Sequence, residues 1–246
     1  MTAPVFVVEH FDAGGGGRYV LDGPEGRHAV SVKRLRAGED VVLTDGSGRW
    51  ADCVVLDTEG KDRLILQLES VHEEPAEQPW VTVVQALPKG DRGELAVETM
   101  TEVGVDAIVP WAAARCITQW KGERGAKALG KWRATAREAG KQSRRVRFPE
   151  VAEAATTKQV AVLLAGAEFA AVLHESGDAP LATAELPSTG DIVLVVGPEG
   201  GVAPEELALF EEAGAKAYHL GRSVLRTSTA GTAAAAVLLA RTGRWS

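Results

Sequence analysis

The sequence contains few of the residues that form metal sites or disulfides. Among its 246 residues there are only two cysteines, Cys53 and Cys116, which lie far apart and show no metal-ligand spacing. The five histidines include no pair at the spacing of metal ligands either: His10, His28, His72, His174 and His219. A catalytic metal is therefore not expected. The low cysteine content favours a reduced, cytoplasmic protein.

Long apolar segments are also missing. The N-terminal stretch MTAPVFVVEHF has no basic segment followed by a long apolar core, so we expect no signal peptide. The alanine-rich run near the C-terminus is too short to span a bilayer, and Arg241 and Arg244 follow it. We therefore expect no membrane partner. With 45% hydrophobic and 25% charged residues, the composition is that of a globular protein with one large or two modest domains.

Three common motifs of nucleotide-binding and hydrolytic enzymes are absent as well. No GxxxxGK(S/T) follows a strand pattern, which excludes a P-loop. No GxGxxG follows the first strand of the α/β part, and no GxSxG nucleophile elbow is present. The chemistry of the protein must therefore lie in other loops.

Positive charge is scarce overall but concentrated in one stretch. The net charge is −7, which argues against a protein that coats nucleic acid non-specifically. From Arg115 to Arg147, however, there are eleven basic and two acidic residues, against 16 basic and 32 acidic residues in the rest of the chain. Such a patch suits binding of RNA or DNA at one place, and the alternative is a solvated helix face.

Residues 1–73 predict a small β-rich domain. In EDVVLTDGSGRWADCVVLD, two strand patterns are joined through Asp45-Gly46-Ser47-Gly48, a strong hairpin signal. The stretch RLILQLESV predicts a further strand, and the four glycines at 14–17 predict a surface loop.

A short helix is predicted within the same domain, from near Pro24 to Gly38. It places three basic residues together near its end, Lys33, Arg34 and Arg36. They either complement the helix dipole or contact phosphate, and the sequence leaves both alternatives open.

The segment 74–79 is polar, contains two prolines and predicts a linker. From residue 80 to residue 246, strand patterns alternate with helix patterns, which predicts an α/β domain with a mostly parallel sheet. Its long basic helix lies in GAKALGKWRATAREAGKQSRR, and its closing helix lies in TSTAGTAAAAVLLARTG.

Three loops at predicted strand ends are candidates for a ligand site. In DIVLVVGPEGGVAPEEL, a buried strand passes through three glycines within residues 197–201 into a helix that starts at Pro204. The other two loops are Leu173-His174-Glu175 and Leu220–Arg226, and the hydroxyls of Thr227-Ser228-Thr229 are candidates to cap the closing helix. Each loop alone is a turn, but together they suit a pocket of main-chain groups for a heteroaromatic ligand such as adenine.

At these residues the chain resembles a known family. LVVGPEGGVAPEE and LGRSVLRTSTAGTAA are similar to the closing motifs of SPOUT methyltransferases, and most of all to those of the ribosomal RNA small subunit methyltransferase E family. HAVSVKRLRAGEDVVLTDGSG resembles that family's N-terminal PUA-like barrel. ALPKGDRGELAVETMTEVGVDAIVPWAAARC and KQSRR resemble its middle segments.

The resemblance implies a fold and an activity. It implies a C-terminal SPOUT α/β domain with a trefoil knot, preceded by a small PUA-like β-barrel domain. The cofactor would be S-adenosyl-L-methionine, and the substrate would be 16S rRNA of the small ribosomal subunit, methylated at N3 of a uridine in the decoding region. The protein would act as a homodimer. The chain departs from the family pattern at Val5, Lys141 and Ser228.

The resemblance also implies the functional residues. Those expected to bind the cofactor are Leu173, His174, Val196, Gly197, Gly200, Gly201, Leu220, Gly221, Val224, Leu225, Ser228 and Thr229. Those expected to bind RNA are Lys33, Arg34, Arg36, Lys89, Arg92, Lys141, Gln142, Arg144 and Arg145. Arg226 is expected either to stabilise a developing uracil anion or to brace its loop. Glu199 is a candidate base or orienting group, or a residue that bonds the backbone of the turn.

Three alternative functions remain open from the sequence. The first is a 2′-O-ribose methyltransferase of the same superfamily, which would differ in the methylated atom. The second is a non-catalytic RNA-binding assembly factor, which would bind no cofactor. The third is a regulator that binds another adenine ligand through the same glycine loops.

Overall fold

The computed structural model describes residues 3–11 and 16–245. It divides into two compact units, Met1–Ala76 with Gly140–Phe148, and Glu77–Ala139 with Pro149–Ser246. The assignment of residues 140–148 to the first unit was not expected from the sequence, which places only the linker 74–79 between two continuous domains. The predicted glycine loop begins at residues 14 and 15, which lie outside the described residues.

The first unit is built on a five-stranded sheet with the order β1-β3-β4-β5-β2. Its elements are β1 (Val5–Val7), β2 (Arg18–Leu21), α1 (Gly23–Arg27), a π-helical turn (His28–Val32), β3 (Asp40–Thr44), β4 (Arg49–Glu59) and β5 (Arg63–Glu73). Strands β1 and β3 are parallel and the other pairs are antiparallel. No ladder joins β1 to β2 within the described residues, so the sheet is a half-barrel. This mixed sheet agrees with the small β-rich domain that the sequence predicts.

The predicted hairpin is present, but the predicted helix is too long. Strands β3 and β4 are joined through residues 45–48, as expected. The helical segment ends at Val32 rather than Gly38, because Arg34 adopts the left-handed conformation with a φ of 58°. The amide of Leu35 then donates to the carbonyl of Ala29 at 3.1 Å, which closes the helix end. Glycine at this position is the usual signal for such an end, and its absence here misled the prediction.

Residues 140–148 pack against that hairpin through their backbone. The amide of Gly48 donates to the carbonyl of Val146 at 3.1 Å, and the amide of Phe148 donates to the carbonyl of Gly46 at 2.8 Å. A Cβ at Gly46 would come within 2.9 Å of the Phe148 ring, so the close approach needs glycine there. The contact joins residues about a hundred positions apart, which no local pattern could have predicted.

The second unit is an α/β domain with a seven-stranded sheet of order β10-β12-β9-β11-β6-β7-β8. Its strands are β6 (Trp80–Ala86), β7 (Ala107–Trp111), β8 (Glu150–Val151), β9 (Phe169–Leu173), β10 (Ala179–Pro180), β11 (Asp191–Val196) and β12 (Lys216–His219). Its helices are α2 (Arg92–Val103), α3 (Gly122–Gln142, whose last turn belongs to the first unit), α4 (Thr157–Ala165), a 3₁₀ turn (Leu181–Thr183), α5 (Pro204–Glu212) and α6 (Thr227–Arg241). Every strand pair is parallel, as predicted.

Helix α4 and the two-residue strands β8 and β10 were not predicted. Helix α4 begins at a capping box, in which the Thr156 side chain accepts from the Gln159 amide and the Gln159 side chain accepts from the Thr156 amide. Threonine followed three residues later by glutamine is the sequence signal that would have revealed this helix. The two short strands carry no comparable signal.

Four neighbouring strands of the second unit end level with one another. Val196 at the end of β11 lies opposite Gln85 in β6 and opposite Leu173 in β9. Leu173 in turn lies opposite Tyr218 in β12. The loops that follow these strands therefore leave the same edge of the sheet. Strands β11 and β12 are inserted among strands formed earlier in the chain, and the threading of a trefoil knot remains a prediction.

Both cysteines are free and buried in the cores of their units. Burial raises the pKa of Cys53 to about 12 and raises the pKa of Cys116 above its ordinary value. Neither thiol is ionised near neutral pH, so both act as small apolar side chains. Among the described residues, no helix combines the length and apolar character that crossing a bilayer requires.

A buried ion pair anchors the end of the chain to the start of the sheet. The guanidinium of Arg244 binds both oxygens of Asp106 and lies 2.7 Å from Glu77, while Asp106 also accepts from the amide of Val81 at 2.8 Å. The side chains of Arg244 and Asp106 are 6% and 2% exposed. Burial alone lowers the pKa of Arg244, but the bonds and charges of Asp106 and Glu77 outweigh it, so the pKa is raised. From the sequence, Arg244 was only one of two basic residues that follow the alanine-rich run, and its ion pair with Asp106 was not expected.

We predict that Arg244→Ala lowers the free energy of unfolding by about 3–5 kcal/mol, because Asp106 would stay buried without its partner. The control is Lys131→Ala, which breaks the exposed pair with Glu94 in the same unit and should cost about 1 kcal/mol or less. Urea unfolding of both variants measures the difference. Equal losses would show that the buried pair contributes no more than a surface pair.

Candidate functional site

A cavity of about 930 Å³ lies at the carboxyl ends of the four level strands. Its walls come from the segments that follow β6, β9, β11 and β12, together with Arg115 and Ile117 from the loop after β7. Open parallel sheets bind ligands at this edge, because the loops there converge and present unpaired backbone groups. The cavity is thus where the fold itself favours a site.

Ten of the twelve residues predicted to bind a cofactor line this cavity: Leu173, His174, Val196, Gly197, Gly200, Gly201, Leu220, Gly221, Val224 and Leu225. Both predicted catalytic residues, Arg226 and Glu199, line it as well, as do Lys89 and Arg92 from the predicted RNA contacts. The structure therefore brings the three predicted loops to one place.

Ser228 and Thr229 were predicted to bind the cofactor, but neither is among the residues that line the cavity, although Thr227 and Ala230 on either side of them are. Ser228 is only 2% exposed, inside the first turn of α6. The Thr229 hydroxyl turns back to the carbonyl of Arg226 at 3.2 Å. The expected hydroxyl cap is also absent, because Arg226 is the N-cap residue and makes no side-chain cap bond. Both residues thus belong to the first turn of α6, where the Thr229 hydroxyl bonds the backbone.

The glycine loop after β11 is shaped by close packing. The amide of Gly201 donates to the carbonyl of Pro198 at 2.9 Å, and its φ of 73° lies in the left-handed region. A Cβ at Gly197 would lie 2.9 Å from Cγ2 of Val202. A Cβ at Gly200 would lie 3.2 Å from Cβ of Arg115, so this glycine makes room for a neighbouring loop rather than for the cavity.

Two contacts join the glycine loop to its neighbours. The Arg115 guanidinium donates to the carbonyl of Gly200 at 3.1 Å, and Oε1 of Glu199 accepts from the amide of Lys89 at 3.2 Å. Sequence analysis missed Arg115 as a site residue, because its only signal was membership of the basic stretch. Glu199 makes the backbone bond that was one of its expected roles.

The cavity wall carries an excess of positive charge. It contains five cations, Lys89, Arg92, Arg115, Arg222 and Arg226, but only two carboxylates, Glu175 and Glu199. Within residues 3–11 and 16–245, none of these five cations forms a salt bridge. Unpaired cations around a concave site attract an anionic ligand.

Comparison with known proteins identifies the family. An RNA methyltransferase domain model matches residues 75–239, and an RNA methyltransferase PUA domain model matches residues 21–69. The ribosomal RNA small subunit methyltransferase E of Mycobacterium bovis is 46% identical over 92% of this chain and 87% of its own length. The chain belongs to the ribosomal RNA small subunit methyltransferase E family.

Other relatives of this family agree. The Bacillus subtilis protein of the same name is 29% identical over 86% of both chains. The Neisseria gonorrhoeae protein of the same name was solved bound to S-adenosyl methionine; it is 28% identical, covers 98% of each chain and superposes with a TM-score of 0.85. A Legionella pneumophila protein solved with bound cofactor SAM is 27% identical, with a TM-score of 0.84 and 98% coverage of each chain.

Most of the remaining residues predicted to contact RNA are exposed, but Lys141 is not. Lys33, Arg34, Arg36, Gln142 and Arg144 are exposed, and Arg145 is half-buried. The Lys141 side chain is 7% exposed and its Nζ lies 2.9 Å from Oε1 of Glu25. The prediction that Lys141 contacts phosphate is therefore corrected, because its amine forms a buried ion pair within the first unit.

Glu206, at the start of α5, holds the elements behind the cavity together. One carboxylate oxygen accepts from the amide of Ala114 and from the hydroxyl of Thr157, both at 2.8 Å. The other accepts from the amide of Ala203 at 3.2 Å. The side chain is buried, so these bonds are shielded from water. The sequence had indicated only an acid that favours a helix start.

We predict that Glu206→Ala lowers the free energy of unfolding by about 3 kcal/mol, because it leaves backbone and hydroxyl donors without their acceptor. The adjacent and exposed Glu205 is the matched control, and Glu205→Ala should change the free energy by about 0.5 kcal/mol or less. Chemical denaturation of both variants tests this. The proposed bracing role would be wrong if the two variants unfolded alike.

Proposed function

We propose that this protein transfers the methyl group of S-adenosyl-L-methionine to N3 of a uridine in the decoding region of 16S rRNA. The observation that carries the proposal is the cavity at the carboxyl ends of β6, β9, β11 and β12, which ten of the twelve expected cofactor residues line. Family membership supports the reaction class, and the relatives solved with this cofactor support its identity.

The residues present fit an adenosine-containing cofactor. A cavity of about 930 Å³ lies near the upper end of the roughly 300–1,000 Å³ that small ligands occupy. A Cβ at Gly221 would meet nothing within 4 Å, so the backbone there is open to a ligand. Leu173 and Leu220 are partly buried against the core and offer apolar surface to an adenine ring. Backbone amides and carbonyls of the three loops would hydrogen-bond to the polar edge of the adenine ring.

The reaction needs an unpaired base and a place for negative charge. Uracil N3 lies on the Watson–Crick edge, so the base must leave its stack before it reacts. The cofactor, when bound, would supply a methyl group activated by its sulfonium. N3 would exchange its proton for that methyl group, and the cofactor would leave with a neutral thioether sulfur. Arg226 is exposed on the cavity wall, and its side chain has no carboxylate partner among the described residues. We assign it the role of stabilising the uracil anion.

Glu199 is assigned a positioning role in this proposal. Its carboxylate bonds the amide of Lys89 and so ties the loop after β6 to the glycine loop. A carboxylate engaged in this way orients Lys89, which is one of the cations on the wall.

The exposed cations of the first unit are proposed to bind the RNA backbone. Lys33, Arg34 and Arg36 follow the helical turn, and Arg144 and Arg145 lie in the segment 140–148 of the same unit. Two basic clusters far apart in sequence thus belong to one compact unit, and such local clusters suit contacts with a polyanion.

We also propose the homodimer, the trefoil knot and the cytoplasmic location that the family resemblance implies. Helices α2 and α6 pack together and leave two large apolar side chains exposed, Leu95 on α2 and Trp245 after α6. A second copy of the chain would cover such a face. A ribosomal substrate in turn requires a protein that meets ribosomes in the cytoplasm.

The activity is tested by mapping the methyl group. The protein is incubated with labelled S-adenosylmethionine and small subunits that lack the modification, or with naked rRNA, and digested nucleosides are separated. Label in 3-methyluridine supports the proposal. Label on a ribose 2′ oxygen would support the alternative methyltransferase. Cofactor binding absent under all conditions would leave an RNA-binding assembly factor.

For Arg226, we predict that the Ala variant keeps its affinity for the cofactor and loses about a hundredfold in single-turnover rate, as expected for removal of one preorganised charge. Arg226→Lys should keep more activity, because the charge remains. Lys158→Ala, on helix α4 and not on the cavity wall, is the control for general loss of positive charge and should keep the parental rate. If Arg226→Ala lowers both the melting temperature and the affinity for the cofactor, Arg226 instead has a structural role in bracing its loop. If Arg226→Ala methylates RNA at the parental rate, Arg226 has no role in the mechanism.

For the first unit, we predict that Arg144→Ala with Arg145→Ala weakens RNA binding and flattens its dependence on salt, since about two fewer counterions are released. Arg63→Ala removes a cation of the same unit that already pairs with Glu59, and should leave the slope nearly unchanged. The measurement is RNA affinity over a series of salt concentrations. An unchanged slope in the double variant would place the RNA on another face.

A further inference from the structure

Three large apolar side chains stand exposed on the wall of the cavity. Ile117 is 72% exposed, Val224 is 77% exposed and Leu225 is 40% exposed. They come from two different loops, since Ile117 follows β7 while Val224 and Leu225 follow β12. Exposed aliphatic groups that gather at one concave site are typical of a surface that a ligand covers.

Ile117 lies outside the three strand-end loops that are expected to bind the cofactor, whereas Val224 and Leu225 belong to one of them. The other apolar side chains expected at the cofactor are Val196, which is buried, and Leu173 and Leu220, which are partly buried against the core. Ile117, on the loop after β7, is 72% exposed on the same cavity wall. It therefore offers apolar surface to a second ligand group.

The charges beside these groups indicate what that ligand is. Arg115 precedes Ile117 by two residues, and Arg222 precedes Val224 by two residues. Both arginines line the cavity, and neither forms a salt bridge in the described part of the chain. Each loop thus places a cation that has no carboxylate partner beside an apolar side chain. An RNA strand with one unstacked base matches both, because its phosphates are anionic and its base has flat apolar faces.

We propose that Ile117 contacts the target base when it leaves the RNA stack, while Arg115 and Arg222 hold the flanking phosphates. This inference rests on the proposed function and names the residues that hold its substrate. Ile117 is thereby a specificity residue that contacts the base, and Arg115 combines a phosphate contact with its bond to Gly200.

The test compares Ile117→Ala with Val162→Ala. Val162 is a branched aliphatic residue of nearly equal exposure, 74%, on helix α4, and it does not line the cavity. Because both positions are exposed, both variants should melt like the parent protein. Ile117→Ala should weaken RNA binding about tenfold and leave cofactor affinity and the salt slope unchanged. Ile117→Leu should restore most of the affinity, and Val162→Ala should match the parent.

A modified substrate separates the base from the backbone. An RNA with an abasic nucleotide at the mapped methylation position should bind the parent protein more weakly than intact RNA. Ile117→Ala should lose nothing further on that RNA, because the contact partner is already absent, and such coupling is the signature of a direct contact. Arg115→Ala should instead weaken both RNAs equally and reduce the salt slope by about one.

Three results would overturn the inference. Parental RNA affinity in Ile117→Ala would show that the side chain contacts no base. An equal loss of cofactor affinity would show that the cofactor covers it. A shift of the dimer dissociation constant without an RNA effect would show that a second copy covers it. Failure of the parent protein to bind the cofactor or to methylate RNA is a separate result, which would refute the proposed function itself.

Discussion

The parallel, level pairing of β12, β9, β11 and β6 is the constraint on which the candidate site depends. The sheet hydrogen bonds align Val196 with Gln85 on one side and with Leu173 on the other. A register shift of two residues would move one loop by about 7 Å along the strand and take it out of the shared cavity. The buried, β-branched sequence of β11 favours this central place between two partners, because it is apolar on both faces.

The loops that leave this edge are held by contacts between them, and the same contacts leave charge available. Glu199 uses its carboxylate on a backbone amide, and Glu206 uses both of its oxygens inside the protein. Of the two carboxylates on the cavity wall, Glu199 is thus engaged in structure, whereas the cations Arg222 and Arg226 have no carboxylate partners within the described residues. Cations that have no carboxylate partner suit a site that binds RNA and a developing anion, because their charge is not already neutralised by the protein.

The sequence predicted what depends on local pattern and missed what depends on distant contacts. The apolar run of β11, the glycine loop and the Leu220–Arg226 loop carry their signals in consecutive residues. The sequence therefore predicted these elements, and ten of the twelve residues expected to bind the cofactor line one cavity. Lys141 was misassigned because its partner Glu25 lies 116 positions away. Arg115 and Ile117 were missed as site residues because their loop has no glycine or turn signature, and only the strand order brings it to the cavity.

The central claim, that the convergent loops at the ends of the level strands hold S-adenosyl-L-methionine, is tested most directly by hydrogen exchange of the backbone amides. Exchange is followed by mass spectrometry with and without the cofactor. The account predicts slower exchange in peptides covering residues 173–175, 197–202 and 220–227, with little change in β3, β4 and β5 of the first unit. Protection confined to the first unit, or saturable cofactor binding with no protection in these three loops, would contradict it.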